Sequence, residues 1–326
     1  MADAPFYLQW HITSRCNLRC AHCYQSDYAD QISESLFQEG LEKFGRHLSR
    51  AGAKGQINLT GGEPMLHPDF FSFAQKIRDA GHRLAILTNG TLIDAAAASR
   101  LAALQPVFVQ ISLDGTREAH ERIRGAGSFD AAVAGIDALA SAGVKVLVSF
   151  TAQKSNAHCF EALVRFCGEH GVHKFWWDRV VTDDPALYLT TAQFRALTET
   201  ANRLRRAFVD AGARMKVDNG RALQSTFSDA PCYYACSAGR GLLIFLPDGS
   251  VMPCRRLPFV IGNYRDGELE EIIRESELMT RLRGAGIPKE CVYCPKASGC
   301  RGGAKCVTYA QTGQLFARDV NCFYEG

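Results

Sequence analysis

The sequence lacks the long apolar runs, the charge bias and the signal sequence that mark several large classes of protein. It has no stretch of about 18 or more apolar residues, so we expect no membrane span. Its 37 basic and 34 acidic residues leave a net charge of only +3, which argues against a nucleic-acid partner. Because no charged region followed by an apolar stretch opens the chain, we expect no signal peptide and a cytoplasmic location.

Cysteine, by contrast, is abundant, with 13 in 326 residues. In a reducing cytosol such cysteines are more often metal ligands than disulfides. Three lie within residues 16–23, two at 159 and 167, and eight between 232 and 322. This distribution predicts two iron–sulfur regions separated by a scaffold. Cys159 and Cys167 are about two helical turns apart among apolar neighbours, which indicates buried core residues rather than ligands.

The first group, Cys16, Cys20 and Cys23, has C-x3-C-x2-C spacing. Three thiolates can hold three irons of a [4Fe–4S] cube and leave the fourth iron open to a small molecule. The alternatives are a buried cysteine cluster and a zinc site. Structural zinc normally takes four ligands from paired short spacings, which disfavours zinc here.

Residues 1 to about 180 alternate between short apolar runs and helical patterns. The alternation predicts parallel strands with right-handed crossovers, and six such units fit a partial (β/α)6 TIM-like barrel within an α/β fold. The predicted strands are residues 6–13, 56–60, 83–88, 107–113, 144–151 and 173–180, and the predicted helices are residues 34–51, 68–80, 92–104, 128–142 and 157–170.

Unusual polar motifs follow the predicted strands. Gly61-Gly62-Glu63-Pro64 follows the second strand, Thr88-Asn89-Gly90 the third and Ser112-Leu113-Asp114-Gly115 the fourth, while Ser149 ends the fifth. In barrels of this type, the loops at the carboxyl ends of the strands carry the chemistry. A tight turn is the alternative interpretation of the glycine pair.

Together these motifs resemble the radical S-adenosylmethionine (SAM) superfamily, whose signature is C-x3-C-x-aromatic-C. His22 stands where an aromatic ring is usual. The resemblance implies that SAM binds the open iron, is cleaved to a 5′-deoxyadenosyl radical, and that this radical removes hydrogen from substrate. It assigns Gly61-Gly62-Glu63 to the SAM amine, and a guanidinium such as that of Arg124 suits the SAM carboxylate. The residues we expect at SAM are Tyr24, Gly61, Gly62, Glu63, Pro64, Asn89, Ser112, Asp114, Arg124 and Ser149.

The rest of the chain has a different composition. We predict a barrel over residues 1–184, a linking segment over 185–214 with a helix at 189–211, and a small cysteine-rich domain over 215–326. This last domain is predicted to contain a β-hairpin at 242–254, with Asp248-Gly249 as its turn, and a helix at about 268–283, the remainder being cysteine-rich loop.

The order of the late cysteines resembles the SPASM extension of radical SAM proteins. It implies two auxiliary [4Fe–4S] clusters, although zinc ribbons are an alternative. Where the family usually has the fourth ligand of the first cluster, this chain has Ala304, so either Cys306 takes that place, which we favour, or one iron stays open. The predicted ligands are Cys232, Cys236, Cys254 and Cys306 for cluster I, and Cys291, Cys294, Cys300 and Cys322 for cluster II.

Two arginines, Arg255 and Arg256, directly follow Cys254. Sulfatase-maturing relatives carry an aspartate base directly after the matching cysteine, so this difference argues against formylglycine formation. The arginines suit an anionic substrate or balance thiolate charge, and solvated surface is the alternative. No catalytic acid or base is identified, and the candidates by location alone are Asp178, Arg179, Tyr233 and Tyr234.

The predicted enzyme uses SAM and three [4Fe–4S] clusters to modify or crosslink a ribosomally made peptide or a protein oxidatively. Because Phe6 already begins the barrel, we expect a separate protein to present the peptide, and a flavodoxin or ferredoxin to donate electrons. The tail from Arg301 to Gly313 also resembles enzymes of haem and haem d1 synthesis, so tetrapyrrole or other cofactor synthesis is the alternative. A non-catalytic iron–sulfur carrier is the third hypothesis, and it leaves the polar motifs unexplained.

Overall fold

A single sheet of ten strands organises the computed structural model, which describes residues 6–53, 55–228, 236–284 and 286–324. The strands are β1 Phe6–His11, β2 Gly55–Thr60, β3 Arg83–Thr88, β4 Val109–Ser112, β5 Val146–Ala152, β6 Lys174–Arg179, β7 Lys216–Asp218, β8 Leu242–Phe245, β9 Ser250–Met252 and β10 Gly262–Asn263. Their order across the sheet is β10-β9-β8-β1-β2-β3-β4-β5-β6-β7, and β1 to β7 are parallel to their neighbours.

The helices follow the strands in the βα alternation that the sequence predicts. They are α1 Glu34–Ala51, α2 Phe70–Asp79, α3 Ala95–Ala103, α4 Arg117–Arg124, α5 Ser128–Ser141, α6 Phe160–Glu169, α7 Thr191–Asp210, α8 Ala222–Thr226, α9 Leu269–Glu275, α10 Glu277–Gly284, α11 Ala297–Cys300 and α12 Lys305–Thr312. Helix α7 confirms the predicted linking helix and begins with a capping box formed by Thr190 and Gln193. The fold is a partial α/β barrel with a small C-terminal domain, as predicted.

One face of the sheet packs against the helices. Trp10 of β1 stacks on Phe37 of α1 with ring centroids 4.3 Å apart, and Phe37 stacks on Phe73 of α2 at 3.9 Å. Cys159 and Cys167 are buried on this side, which confirms their prediction as core residues.

The opposite face, which we call the inner face, remains open. Along β5 and β6 buried residues alternate strictly with partly exposed ones. The inner-face residues include Ser112 on β4, Ser149 on β5, and Trp176 and Asp178 on β6. Because these polar and aromatic side chains are reachable from solvent, the inner face can receive a substrate.

The C-terminal hairpin joins the barrel sheet. Strand β8 pairs in parallel with β1 and antiparallel with β9, and Gly249 at φ +89° occupies the predicted turn. At the other edge β7 pairs in parallel with β6. The sheet therefore runs through both predicted domains, and the boundaries at 184 and 214 remain predictions.

Three details of the predicted helices were wrong. Helix α4 lies in a segment for which the sequence predicted no element, because it has few apolar residues to reveal its period. The helix predicted over 268–283 breaks at Ser276, whose backbone is extended and whose Oγ accepts from the amide of Met279 at 3.2 Å, so that a second helix begins there. Helices α8, α11 and α12 lie in the part of the C-terminal domain that was predicted as cysteine-rich loop.

In the described part of the chain, no helix combines the length and the apolar character needed to cross a membrane.

Candidate radical SAM site

The loop between β1 and α1 carries Cys16, Cys20 and Cys23, all of them partly or fully exposed. The amides of Leu18 and Gln25 each donate to a cysteine sulfur, Cys16 Sγ and Cys23 Sγ respectively, at 3.4 Å. Backbone N–H donors of this type stabilise thiolates and help to set the potential of an iron–sulfur cluster. The loop is therefore suited to three thiolate ligands.

The glycine pair fits closely against the start of this loop. The amide of Gly62 donates to the carbonyl of Thr13, and that of Glu63 donates to Arg15, both at 2.8 Å. A Cβ atom on Gly61 would lie 2.2 Å from the Thr13 oxygen, and one on Gly62 would lie 2.3 Å from the Arg15 oxygen. The motif thus sets the position of the cysteine loop, whereas its contact with the SAM amine remains a prediction.

The Glu63 carboxylate is buried beneath the glycine pair. It accepts from Thr88 Oγ1 at 2.8 Å, from the Asn89 amide at 2.8 Å and from the Met65 amide at 3.2 Å, just after Pro64 begins a short 3-10 turn. Burial raises the pKa of Glu63 to about 7, although these bonds oppose the shift. The side chain therefore joins the loop after β2 to the end of β3, and its bond to the SAM ammonium remains a prediction.

Asp114 and Arg124 form a buried pair beside the cysteine loop. Arg124 Nε donates to Asp114 Oδ2 at 2.6 Å, and the Thr151 amide donates to Oδ1 at 2.8 Å. Burial opposes ionisation, but Arg124 prevails and the pKa of Asp114 is lowered. Arg124 also donates to Cys20 Sγ at 3.7 Å. The pair thus places a cation against a predicted cluster ligand, and its predicted contact with the SAM carboxylate is untested.

His22, in the position where the signature has an aromatic residue, lies over this pair. Its Nε2 is 3.7 Å from Asp114 Oδ2, and its buried Nδ1 has no partner among the described residues. Burial lowers the pKa of His22 to about 4, with Asp114 opposing the shift. A neutral flat ring therefore occupies this position at neutral pH.

The remaining predicted SAM residues border the same region. Asn89 Nδ2 donates to Asn17 Oδ1 of the cysteine loop at 2.8 Å. Ser112 and Ser149 are paired residues of β4 and β5 on the inner face. Tyr24 is 49% exposed. The structure thus groups the predicted SAM residues around the cysteine loop, and their roles remain predictions.

The second predicted auxiliary set shares one cavity. Arg318 and Lys296 also line it, and Arg318 donates to Cys322 Sγ at 3.5 Å. Cations beside thiolates balance the negative charge of a cluster. The four cysteines that line the cavity are Cys291, Cys294, Cys300 and Cys322.

Three of the first auxiliary set also come together. Cys236, Cys254 and Cys306 pack in one cluster with the methyl group of Ala304. Cys306 is buried at the start of α12, and burial raises its pKa to about 12 although nearby Arg256 opposes the shift. Cys232, together with Tyr233 and Tyr234, lies outside the described residues.

The donor sets fit iron–sulfur cubes better than single ions. Among the described residues, no group of three or more His, Cys, Asp or Glu side chains could hold one metal ion. A four-iron cube is larger than a zinc ion and holds its thiolates further apart. The grouped cysteine thiols, with backbone amides and arginines donating to their sulfur atoms, therefore suit an iron–sulfur cube.

The two candidate acid–base residues on β6 are occupied by ion pairs. Arg179 donates to both carboxylate oxygens of Asp319 at 2.6 and 2.7 Å. Asp178 pairs with Arg256 and lies 3.8 Å from Arg221 Nε. Burial opposes ionisation of Asp178, but these arginines lower its pKa. An ionised Asp178 is a poor general acid, and Arg179 serves to join β6 to the C-terminal loop.

Comparison with known proteins decides the family. The family model of the radical SAM superfamily matches residues 10–167, and that of the SPASM iron–sulfur cluster-binding domain matches residues 236–300. The chain belongs to the radical SAM superfamily. It is accordingly a radical SAM enzyme whose family implies SAM and iron–sulfur clusters as cofactors.

Relatives of this radical SAM enzyme align over nearly its whole length. It is 27% identical over 350 residues to the AdoMet-dependent heme synthase of Methanosarcina barkeri, covering 99% of this chain and 98% of the relative. It is 29% identical over 339 residues to the mycofactocin maturase of Mycobacterium tuberculosis, covering 98% and 83%. The solved structure of anSMEcpe with bound AdoMet has the same fold, with a TM-score of 0.82 at 18% identity, covering 98% of this chain and 91% of that one.

Proposed function

We propose that this enzyme generates a 5′-deoxyadenosyl radical over the cysteine loop, and that auxiliary cluster I, when bound nearby, would accept the electron that the substrate radical gives up. One observation carries the proposal. The guanidinium of Arg255, next to Cys254, lies 4.6 Å from the ring centroid of Tyr24, which is next to Cys23. The loop that would form the radical and the cysteines that would hold cluster I are therefore neighbours.

The chain's own residues position the SAM cluster. Cys16, Cys20 and Cys23 would hold it, and when bound it supplies the electron that cleaves SAM. Gly61 and Gly62 let the loop pass close to the barrel rim, and Arg124 brings positive charge to Cys20. These arrangements fix the geometry before SAM arrives, which is how proteins contribute to cofactor chemistry.

Two auxiliary clusters complete the proposed cofactor set. Cluster I would be held by Cys232, Cys236, Cys254 and Cys306, and cluster II by Cys291, Cys294, Cys300 and Cys322. The packing of Cys306 against Cys236 and Cys254 supports Cys306 as the fourth ligand in place of the alanine at 304. An external flavodoxin or ferredoxin supplies the reducing electron.

The proposed substrate is a ribosomally made peptide or a protein, modified or crosslinked oxidatively and presented by a separate protein. The full-length similarity to a mycofactocin maturase supports it. Tetrapyrrole processing is the second candidate, because a heme synthase aligns over nearly the whole of both chains.

Isotope transfer separates the two substrates. The reconstituted enzyme is incubated with SAM and either a deuterated peptide encoded beside its gene or deuterated iron coproporphyrin. Deuterium in 5′-deoxyadenosine identifies the substrate that loses hydrogen. Absence of 5′-deoxyadenosine under every condition would instead favour the iron–sulfur carrier hypothesis.

A further inference from the structure

Arg255 is a partly buried cation that forms no ion pair with any of the described residues. Its Nε is buried and has no hydrogen-bond partner among the described residues. Its observed contact is with the face of Tyr24, 4.6 Å from the guanidinium carbon to the ring centroid. A buried N–H donor without a partner is costly, so this arrangement indicates a position where an acceptor such as a carboxylate binds.

The neighbouring arginines are already paired. Arg256 donates to Asp178, and Arg221 lies 3.8 Å from the same carboxylate while it stacks on Trp176 at 3.6 Å. A single carboxylate therefore serves two arginines. Among the described residues, Asp178 faces these two arginines and no carboxylate forms an ion pair with Arg255.

His11 adds no second positive charge beside Arg255. It is 3% exposed at the end of β1, and burial, followed by the charge of Arg255, lowers its pKa well below the usual value. His11 is thus neutral near pH 7 and does not compete with Arg255 for an anion.

We propose that Arg255 binds a carboxylate of the substrate and so holds the substrate between the radical-forming loop and auxiliary cluster I. This inference rests on the proposed function. The planar guanidinium pairs with carboxylates through two parallel hydrogen bonds, which fixes orientation as well as position. The carboxylate comes from a peptide terminus or acidic side chain, or from a tetrapyrrole propionate.

Binding is measured by anaerobic calorimetry on the reconstituted enzyme with SAM. The probes are iron coproporphyrin III and its tetramethyl ester, and acetyl-Ala-Ala-Phe as free acid and as amide. We expect at least one free acid to bind and its uncharged form to bind about tenfold or more weakly. The acid that binds identifies the source of the carboxylate.

Variants assign the effect to Arg255. Arg255→Gln is expected to raise the Kd of the acid roughly 10- to 100-fold, as for the loss of a charge-assisted pair. Arg255→Lys keeps the positive charge but loses the two parallel N–H donors of the guanidinium. Its Kd for the acid should therefore lie between those of wild type and Arg255→Gln. Arg265→Gln, at an exposed arginine of the same domain, should leave the Kd unchanged.

Three results would overturn the proposed role of Arg255 in binding a substrate carboxylate. They are equal binding of acid and uncharged probe, an unchanged Kd in Arg255→Gln, and no binding of either acid to the wild type. If Arg255→Gln fails to fold, judged by its iron content, the comparison of acid with uncharged probe on the wild type still decides. Formation of 5′-deoxyadenosine in the same samples tests the proposed function separately. If SAM is cleaved but each acid binds no more tightly than its uncharged form, the role proposed for Arg255 is wrong while the proposed function stands.

Discussion

At the residue scale, Glu63 is notable because its carboxylate is buried among neutral donors only. Thr88, Asn89 and Met65 supply its hydrogen bonds, and no cation pairs with it among the described residues. An ionised carboxylate in that setting is disfavoured, which is why its pKa rises.

This shift predicts a pH dependence of stability. Because the pKa of Glu63 is about 7 in the folded protein against its usual 4.5, the unfolded chain loses this proton first as pH rises. The free energy of unfolding of wild type should therefore fall between about pH 4.5 and 7, by up to about 3 kcal/mol, relative to Glu63→Gln. Urea titrations at several pH values measure it, and a wild-type stability that rises relative to the variant would contradict it.

Cys306 gives the second residue-scale prediction. If it ligates cluster I, Cys306→Ala should lower the iron content of the reconstituted protein by up to about four atoms per chain and change the auxiliary signals in its electron paramagnetic resonance spectrum. Cys159→Ala, at a buried core cysteine, should retain all its iron. Unchanged iron and spectra in Cys306→Ala would point to an open iron instead.

At the scale of elements, the loop after β2 and the cysteine loop are packed against each other through glycine. We expect Gly62→Ala to push the loop away, since its Cβ would lie 2.3 Å from the Arg15 oxygen. The SAM cluster should then be lost or labile while the auxiliary clusters persist, as iron analysis and spectroscopy would show. Gly45→Ala in α1, with its nearest neighbouring atom 3.8 Å away, is the control and should keep all three clusters.

The sequence predicted those elements whose apolar period is strong. Strands β5 and β6 and helix α7 have clear patterns, and they were found where expected. Helix α4 escaped because only Ala119 and Ile123 break its polar run, although it carries Arg124 to Cys20. Local sequence patterns likewise did not indicate that Thr88 donates a hydrogen bond to the Glu63 carboxylate. That bond depends on how strands β2 and β3 lie side by side.

At the scale of the whole molecule, two tertiary contacts join segments that are far apart in the sequence. Strand β8 pairs in parallel with β1, and Arg179 of β6 binds Asp319. Such pairings between distant segments leave no periodic trace in the sequence. The resemblance of the late cysteines to the SPASM extension nonetheless implied which of them lie together, while their roles as cluster ligands remain predictions.

The Arg179–Asp319 pair should hold the C-terminal loop against the barrel. Asp319 also accepts from the Ala304 amide at 2.8 Å, close to Cys306. Breaking a buried pair leaves one charge uncompensated, so Asp319→Asn should lower the free energy of unfolding by about 3–5 kcal/mol and loosen the auxiliary clusters. Asp130→Asn, in an exposed pair with Arg117, should change it far less, because solvent screens that pair. If the two variants had equal effects in denaturant titrations, the Arg179–Asp319 pair would not be holding the C-terminal loop against the barrel.

The central claim is that this chain combines a SAM-cleaving centre with two auxiliary clusters. The most direct measurement is anaerobic reconstitution of wild type and of the variant with Cys16, Cys20 and Cys23 all changed to Ala, followed by iron counting and dithionite-driven 5′-deoxyadenosine formation. We predict about 12 irons and SAM cleavage for wild type, and about 8 irons without cleavage for the variant. About four irons in wild type, zinc in the C-terminal cysteines, or no SAM cleavage would contradict the account.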